Sequence, residues 1–282
     1  MNTSAAVAEE EETGVAQRAA GSSFYLAMRV LPRVQRDAMF QIYWFCRCVD
    51  DIADSTAPHA ERMRQLAPWR ANIAAMYAGS PPAPLWELAR CANAFSLAQA
   101  DFVAVIDGME MDAVEDIRAP DWQTLDLYCD RVASAVGRLS VRVFGMEPAE
   151  GVALARHLGR ALQLTNILRD LDEDAAMGRL YLPRESLRAA GINDDDPAAV
   201  LANQALTDAC MPVAERARMH FAEADKIMAR SRRAAVRAPR IMAEVYRAML
   251  EQMAARGWGP PRERVRISRP RLVWVLLRYA IV

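Results

Sequence analysis

The chain has 282 residues, 53% of them hydrophobic and 25% charged, with a formal net charge of −1. So apolar a composition predicts a sizeable buried core, and the near-zero balance argues against a globally basic nucleic-acid binder. Five cysteines without a Cys-x-x-Cys pair, and His59, His157 and His220 out of ligand spacing, argue against zinc and fit a reduced, cytoplasmic protein.

Residues 1–20 are rich in Ala and Glu, include the acidic run Glu9–Glu12, and read as a disordered segment without signal-peptide character. From residue 21 to 282 apolar residues recur three and four apart, and no run alternates long enough for a sheet, so one all-α domain is expected. Pro32, Pro120, Pro148, Pro183 and Pro239 mark helix starts, and Asp121 is placed to cap a helix beginning near Trp122. Breaks fall at 79–84, 191–197 and 257–261, none long enough to separate domains.

Between Pro32 and Asp54, Ala38, Ile42, Phe45, Val49 and Ile52 trace one apolar face, while Tyr43, Arg47, Asp50 and Asp54 step along the opposite side. Trp44, Cys46 and Cys48 fill the flanks, so the helix is apolar nearly all round and is expected to be buried. Buried carboxylates need counter-charge. Arg47 serves one of them, and Asp50, Asp51 and Asp54 together exceed it. A bound cation or a structural ion-pair network would each explain that stripe. The pattern then repeats: on the segment 159–174, Ala161, Leu164, Leu168 and Leu171 form an apolar seam, with Gln163, Asn166, Asp170 and Asp174 opposite and Arg169 beside them. Like charges four apart cost an isolated helix about 0.2–0.5 kcal/mol. The repetition favours a site, and hard oxygen donors without His or Cys select Mg²⁺ carrying a diphosphate between two facing helices.

These residues, quoted in full as Phe24-Tyr-Leu-Ala, Leu31-Pro, Cys46-Arg-Cys-Val-Asp-Asp-Ile-Ala-Asp54, Gln163-Leu-Thr-Asn-Ile-Leu-Arg-Asp-Leu-Asp-Glu-Asp174 and Gly178-Arg-Leu-Tyr-Leu-Pro183, resemble the squalene/phytoene synthase family. The resemblance runs from about Ser22 to Arg271. It implies the all-α isoprenoid-synthase fold, a helical bundle around a deep central cavity, and head-to-head joining of two prenyl diphosphates. It makes Asp50, Asp54, Asn166, Asp170 and Asp174 the residues that hold two or three Mg²⁺ ions and diphosphate. It makes Arg47, Arg169 and Tyr181 diphosphate contacts. It lines the cavity near the reacting centre with Tyr128 and Gln163, makes Tyr246 another cavity-lining tyrosine, gives the two tyrosines catalytic parts, and puts a helix bend beside the substrate at Val136-Gly137. Gly21 stands where some members carry a hydroxyl, so that contact falls to Ser22 or Ser23.

Within the family, 107–112 and 256–268 are most similar to the bacterial hopanoid-associated branch, which uses two farnesyl diphosphates and stops at presqualene diphosphate. That implies no NADPH. Phytoene synthesis from two C20 units and NADPH-dependent squalene synthesis are the alternatives, and Asp112 is either a site acid or an exposed one. A degenerate, non-catalytic assembly factor is a further alternative, opposed by two intact motifs. At the C-terminus Arg256, Arg262, Arg264, Arg266, Arg269, Arg271 and Arg278 cluster without regularly interleaved aromatics, which argues against nucleic acid. The segment 272–282 is too short to span a bilayer. Docking on the inner face of the cytoplasmic membrane and closure of the bundle are both open readings for it.

Overall fold

The computed structural model describes residues 27–114, 117–265 and 267–280. The expected disordered segment 1–20, the residues Ser22 and Ser23, and the start of the Phe24 motif lie outside the described residues. The helices, in chain order, are α1 (Arg33–Ala53), α2 (His59–Tyr77), α3 (Trp86–Ala94), α4 (Gln99–Val114) and α5 (Trp122–Cys129). A π-helical turn at Asp130–Ser134 leads into α6 (Ala135–Val143), then α7 (Pro148–Arg169) and α8 (Leu171–Ala176). The chain continues through α9 (Arg184–Ala189), α10 (Pro197–Leu201), α11 (Leu206–Arg230), α12 (Arg237–Arg256) and α13 (Arg269–Ala280). Among the described residues there is no strand, only an isolated parallel bridge between Arg118 and Leu180.

Helix starts follow local chemistry. Asp121 accepts a bond from the Thr124 amide at 2.8 Å, and Pro148 is the first residue of α7, behind a Glu147 cap. Pro239 falls inside the first turn of α12 instead of before it, and Pro68 and Pro212 lie within α2 and α11, where tertiary packing overrides the missing backbone donor.

The apolar interior comes in two parts. One gathers α5, α7, α9, α10 and α11 around Leu154, Leu164, Phe221 and Trp258. The other gathers α1, α2, α4 and α6, where Phe45 meets Phe102 edge-to-face at 5.1 Å. Val132, Met146, Tyr246 and Val265 are partly buried and touch both. They line a seam between the two halves. Helix α7 presses close to the π turn, for a Cβ on Gly159 would stand 2.7 Å from Ser134 Cα. Gly137 likewise faces Ala155 of α7, and the departure from regular helix sits at Asp130–Ser134, ahead of the bend expected at Val136-Gly137. A π turn lets the helix change direction without a helix-breaking residue.

Candidate active site

Helix α1 turns its apolar face, including Ala38, Ile42, Phe45 and Val49, into the second core. Its polar stripe is half-exposed: the Asp50 side chain is 35% accessible and that of Asp54 41%. The burial expected from the apolar flanks is therefore corrected, because the polar stripe of the helix stays open to solvent while its apolar face is buried. Arg47 bonds Asp50 at 2.6 Å and also pairs with Asp51. Desolvation, then the Asp54 charge, pushes Asp50 up to about 7 despite Arg47.

The second stripe is not one helix. Helix α7 ends at Arg169, and Asp170, with φ −103° and ψ 18°, caps it and opens α8. Asp170 is thus held at a corner, with Asp174 one turn further on. Arg169 Nε bonds Asp170 Oδ1 at 2.8 Å, and Tyr246 interacts with Arg169. Asn166 donates weakly to Gln163 at 3.4 Å, while its buried Oδ1 has no hydrogen-bond partner. Burial, then Asp170, raises Asp174 to about 8, with Asp112 and Asp54 adding to the effect. The two motifs therefore share one electrostatic field.

Between them lies a buried group that sequence reading largely missed. Arg179, 3% exposed, donates to Asp54 at 2.6 Å and to the Ala53 carbonyl at 2.7 Å. Burial opposes its charge, but Tyr181, Asp112 and Asp54 outweigh that and keep it protonated. Asp112, left open as a site acid, is 3% exposed and accepts from Tyr128 at 3.0 Å and Tyr181 at 2.7 Å. Those rings stack at 4.9 Å. Tyr181 thus turns its hydroxyl to Asp112, and burial drives both phenols well above their ordinary pKa. Desolvation lifts Asp112 to about 6 against the pull of Arg179 and the two hydroxyls. Arg179 had one signal in sequence: it is the single charge in the quoted Gly178–Pro183 run.

The arginine crowd at the C-terminus is partly spent inside the molecule. Arg264 bonds Asp170 at 2.8 Å and pairs with Glu173 at 3.1 Å, and Arg262 grips Asp172 through two nitrogens. His157 and His220, unrelated in sequence spacing, meet with their Nδ1 atoms 3.0 Å apart. A cavity of about 220 Å³ bounded by Asp101, Arg138, Arg142 and Glu147 touches neither acidic motif.

Among the described residues no group of three or more His, Cys, Asp or Glu is close enough to hold a metal ion by itself. The donors still fit Mg²⁺, which keeps water and phosphate oxygens in its shell instead of requiring an all-protein cage. The orphaned Asn166 oxygen, and two carboxyls raised first by burial and then by neighbouring carboxylates, suit a divalent cation as their counter-charge.

A model of the squalene/phytoene synthase family matches residues 17–271. The chain is 58% identical over 264 residues to a presqualene diphosphate synthase of Rhodopseudomonas palustris, covering 94% of this chain and 95% of that protein. It is 53% identical to one of Zymomonas mobilis, covering 93% and 90%. A crystal structure of a dehydrosqualene synthase with bound ligand superposes with a TM-score of 0.82 at 26% identity, covering 96% of each chain. A squalene synthase of Alicyclobacillus acidocaldarius superposes with a TM-score of 0.78 at 26% identity, covering 89% and 95%.

Proposed function

From the premise that the chain belongs to the squalene/phytoene synthase family, we propose that it joins two farnesyl diphosphates head to head, releasing diphosphate and a proton and forming presqualene diphosphate. It is a prenyltransferase. The observation that carries the reading is two acidic motifs in one field, each with a carboxyl raised well above its ordinary pKa, in a chain more than half identical to presqualene diphosphate synthases.

Asp50, Asp54, Asn166, Asp170 and Asp174 would hold Mg²⁺, which when bound supplies positive charge for the leaving diphosphate. Arg47 and Arg169 add fixed charge at the two motifs, so the C–O bond of one allylic substrate breaks toward a preorganised positive site. The allylic cation is then attacked by the C2=C3 double bond of the second substrate, and loss of one proton closes the cyclopropane. Tyr128 and Tyr181 direct their hydroxyl protons at Asp112. Tyr246 borders the seam and Val136 packs on the second core half, and apolar walls of this kind would keep water from the cation. Residues 21–282 act as one catalytic domain, without NADPH.

The reading includes peripheral contact with an anionic membrane from the cytoplasmic side. No helix of the described residues is long and apolar enough to cross a membrane. Helix α13 buries Val275 and bonds Glu244 through Tyr279, yet leaves Trp274 55% exposed with Arg278 over its ring. Bundle closure and surface docking are thus compatible on adjoining faces. Salt-sensitive binding to anionic vesicles should weaken in Trp274→Ala, and an intact protein that ignores such vesicles at low salt would remove this part.

The main test is product identification. Farnesyl diphosphate with Mg²⁺ should accumulate presqualene diphosphate, and NADPH should leave the product unchanged. Phytoene formed preferentially from geranylgeranyl diphosphate, or squalene appearing only with NADPH, would assign another branch.

A further inference from the structure

The segment after α12 has no regular structure, yet it is tied down at Trp258, Arg262, Arg264 and Val265. Gly257, at φ +80°, ends the helix. Trp258 is fully buried, its amide donating to Thr207 Oγ1 at 2.9 Å and its indole to the Leu168 carbonyl at 3.0 Å. Val265 packs against both core halves, so the segment crosses the seam. Between these anchors lies Arg262, whose side chain is 9% accessible. Its Nε and Nη2 donate to the two oxygens of Asp172 at 3.0 and 2.6 Å, and its Nη1 donates to the carbonyls of Leu201 and Trp258 at 2.9 and 3.1 Å.

A solvated surface ion pair would contribute little and would not use main-chain acceptors. Here all three guanidinium nitrogens are engaged, and they join three places: α8 beside the second acidic motif, the end of α10, and the crossing segment itself. Two residues on, Arg264 reaches Asp170 and Glu173 from a half-exposed position. A long side chain on unstructured backbone loses much rotamer and chain entropy when it is ordered, unless the backbone is already fixed. Arg262 fixes it.

We propose that Arg262 is a positioning residue for the condensation: its grip on Asp172 fixes 259–265 across the seam and so sets where Arg264 meets the second acidic motif. This rests on the reading that the second motif receives substrate diphosphate. Asp172 and Arg262 themselves touch no reacting atom.

The full chain is assayed with farnesyl diphosphate and Mg²⁺ as wild type, Arg262→Gln, Asp172→Asn and the double variant. The expected result is a rise in KM of about tenfold with kcat within about threefold, as loss of preorganised binding produces. The double variant should be no worse than either single one, since both remove the same contact. Arg262→Lys should recover little, because one ammonium cannot serve a forked carboxylate and two carbonyls. Amide hydrogen exchange at 259–265 should quicken in every variant while α11 keeps its protection. Asp172 is half-exposed, so Asp172→Asn carries the test if Arg262→Gln fails to fold. Additive effects, an unchanged KM in Asp172→Asn, or unchanged exchange at 259–265 would overturn the proposal. If wild type makes no condensation product, the functional reading fails, and the exchange measurement alone still decides the clamp.

Discussion

The two acidic motifs share a four-residue carboxylate spacing, but they are built differently. The first occupies the last turn of a 21-residue helix, with Asp54 as its C-cap, and keeps its acids half-exposed, whereas the second straddles the corner where α7 gives way to α8. Each takes one arginine from its own neighbourhood, Arg47 or Arg169, and one from far along the chain, Arg179 or Arg264. The distant partners differ most. Arg179 is buried under the first motif, while Arg264 leans over the second from a half-exposed segment. The contrast assigns the inner arginine to holding the halves together and the outer one to a rim that substrate can rearrange.

The sharpest way to break this comparison is to remove one acid from each motif. Asp50→Ala and Asp170→Ala should each lower turnover by at least on the order of 10²-fold, the scale of losing one preorganised electrostatic contact. Circular dichroism should show the fold intact in both. A folded Asp170→Ala enzyme with near-normal turnover would sink the pairing of the motifs.

A second, smaller effect separates the arginines. Removing a buried partner strands charge, so Arg179→Gln should cost about 2–3 kcal/mol in urea unfolding, discounted because Asp54 is partly solvated, while Arg47→Gln should cost less than about 1 kcal/mol. Equal losses would erase the inner-versus-rim distinction.

The smallest effect is on pH. Asp50 and Asp174 sit at about 7 and about 8, above the ordinary 3.8, so the folded chain holds protons there that the unfolded chain has released. Stability from those protons is present at low pH and lost as pH rises through 7 and 8. His220, lowered to about 4 by burial and His157, works in the opposite direction but only below its ordinary 6.5. Between pH 6.5 and 8.5 the Tm of metal-free protein should therefore fall, and Mg²⁺, which favours the ionised carboxylates, should flatten the slope. A metal-free Tm that rises over that interval would mean the acids are already compensated.

Periodicity identified the helices because a buried face repeats with the helix itself, and the two Asp-x-x-x-Asp stripes were legible for the same reason. The pairs Arg47–Asp50 and Arg169–Asp170 were also within reach of sequence, being three residues and one residue apart. Less legible was the corner at Asp170: no Pro or Gly marks it, and the apolar seam from Ala161 to Leu171 continues through it. The C-terminal arginines looked like an exterior charge cluster because nothing local shows that Asp170, Asp172 and Glu173 lie beneath Arg262 and Arg264.

By itself, then, the sequence determined the all-helical class, the spacing of the donor oxygens, the local caps and each motif's near arginine, since backbone geometry fixes which side chains within about one turn share a face. Only tertiary structure decided the rest: Asp112 between Tyr128 and Tyr181, Arg179 under Asp54, the meeting of His157 with His220, and the anchored segment across the seam. Those contacts join residues 16 to 125 positions apart. At such separations proximity is set by how the helices pack, and no local periodicity encodes it.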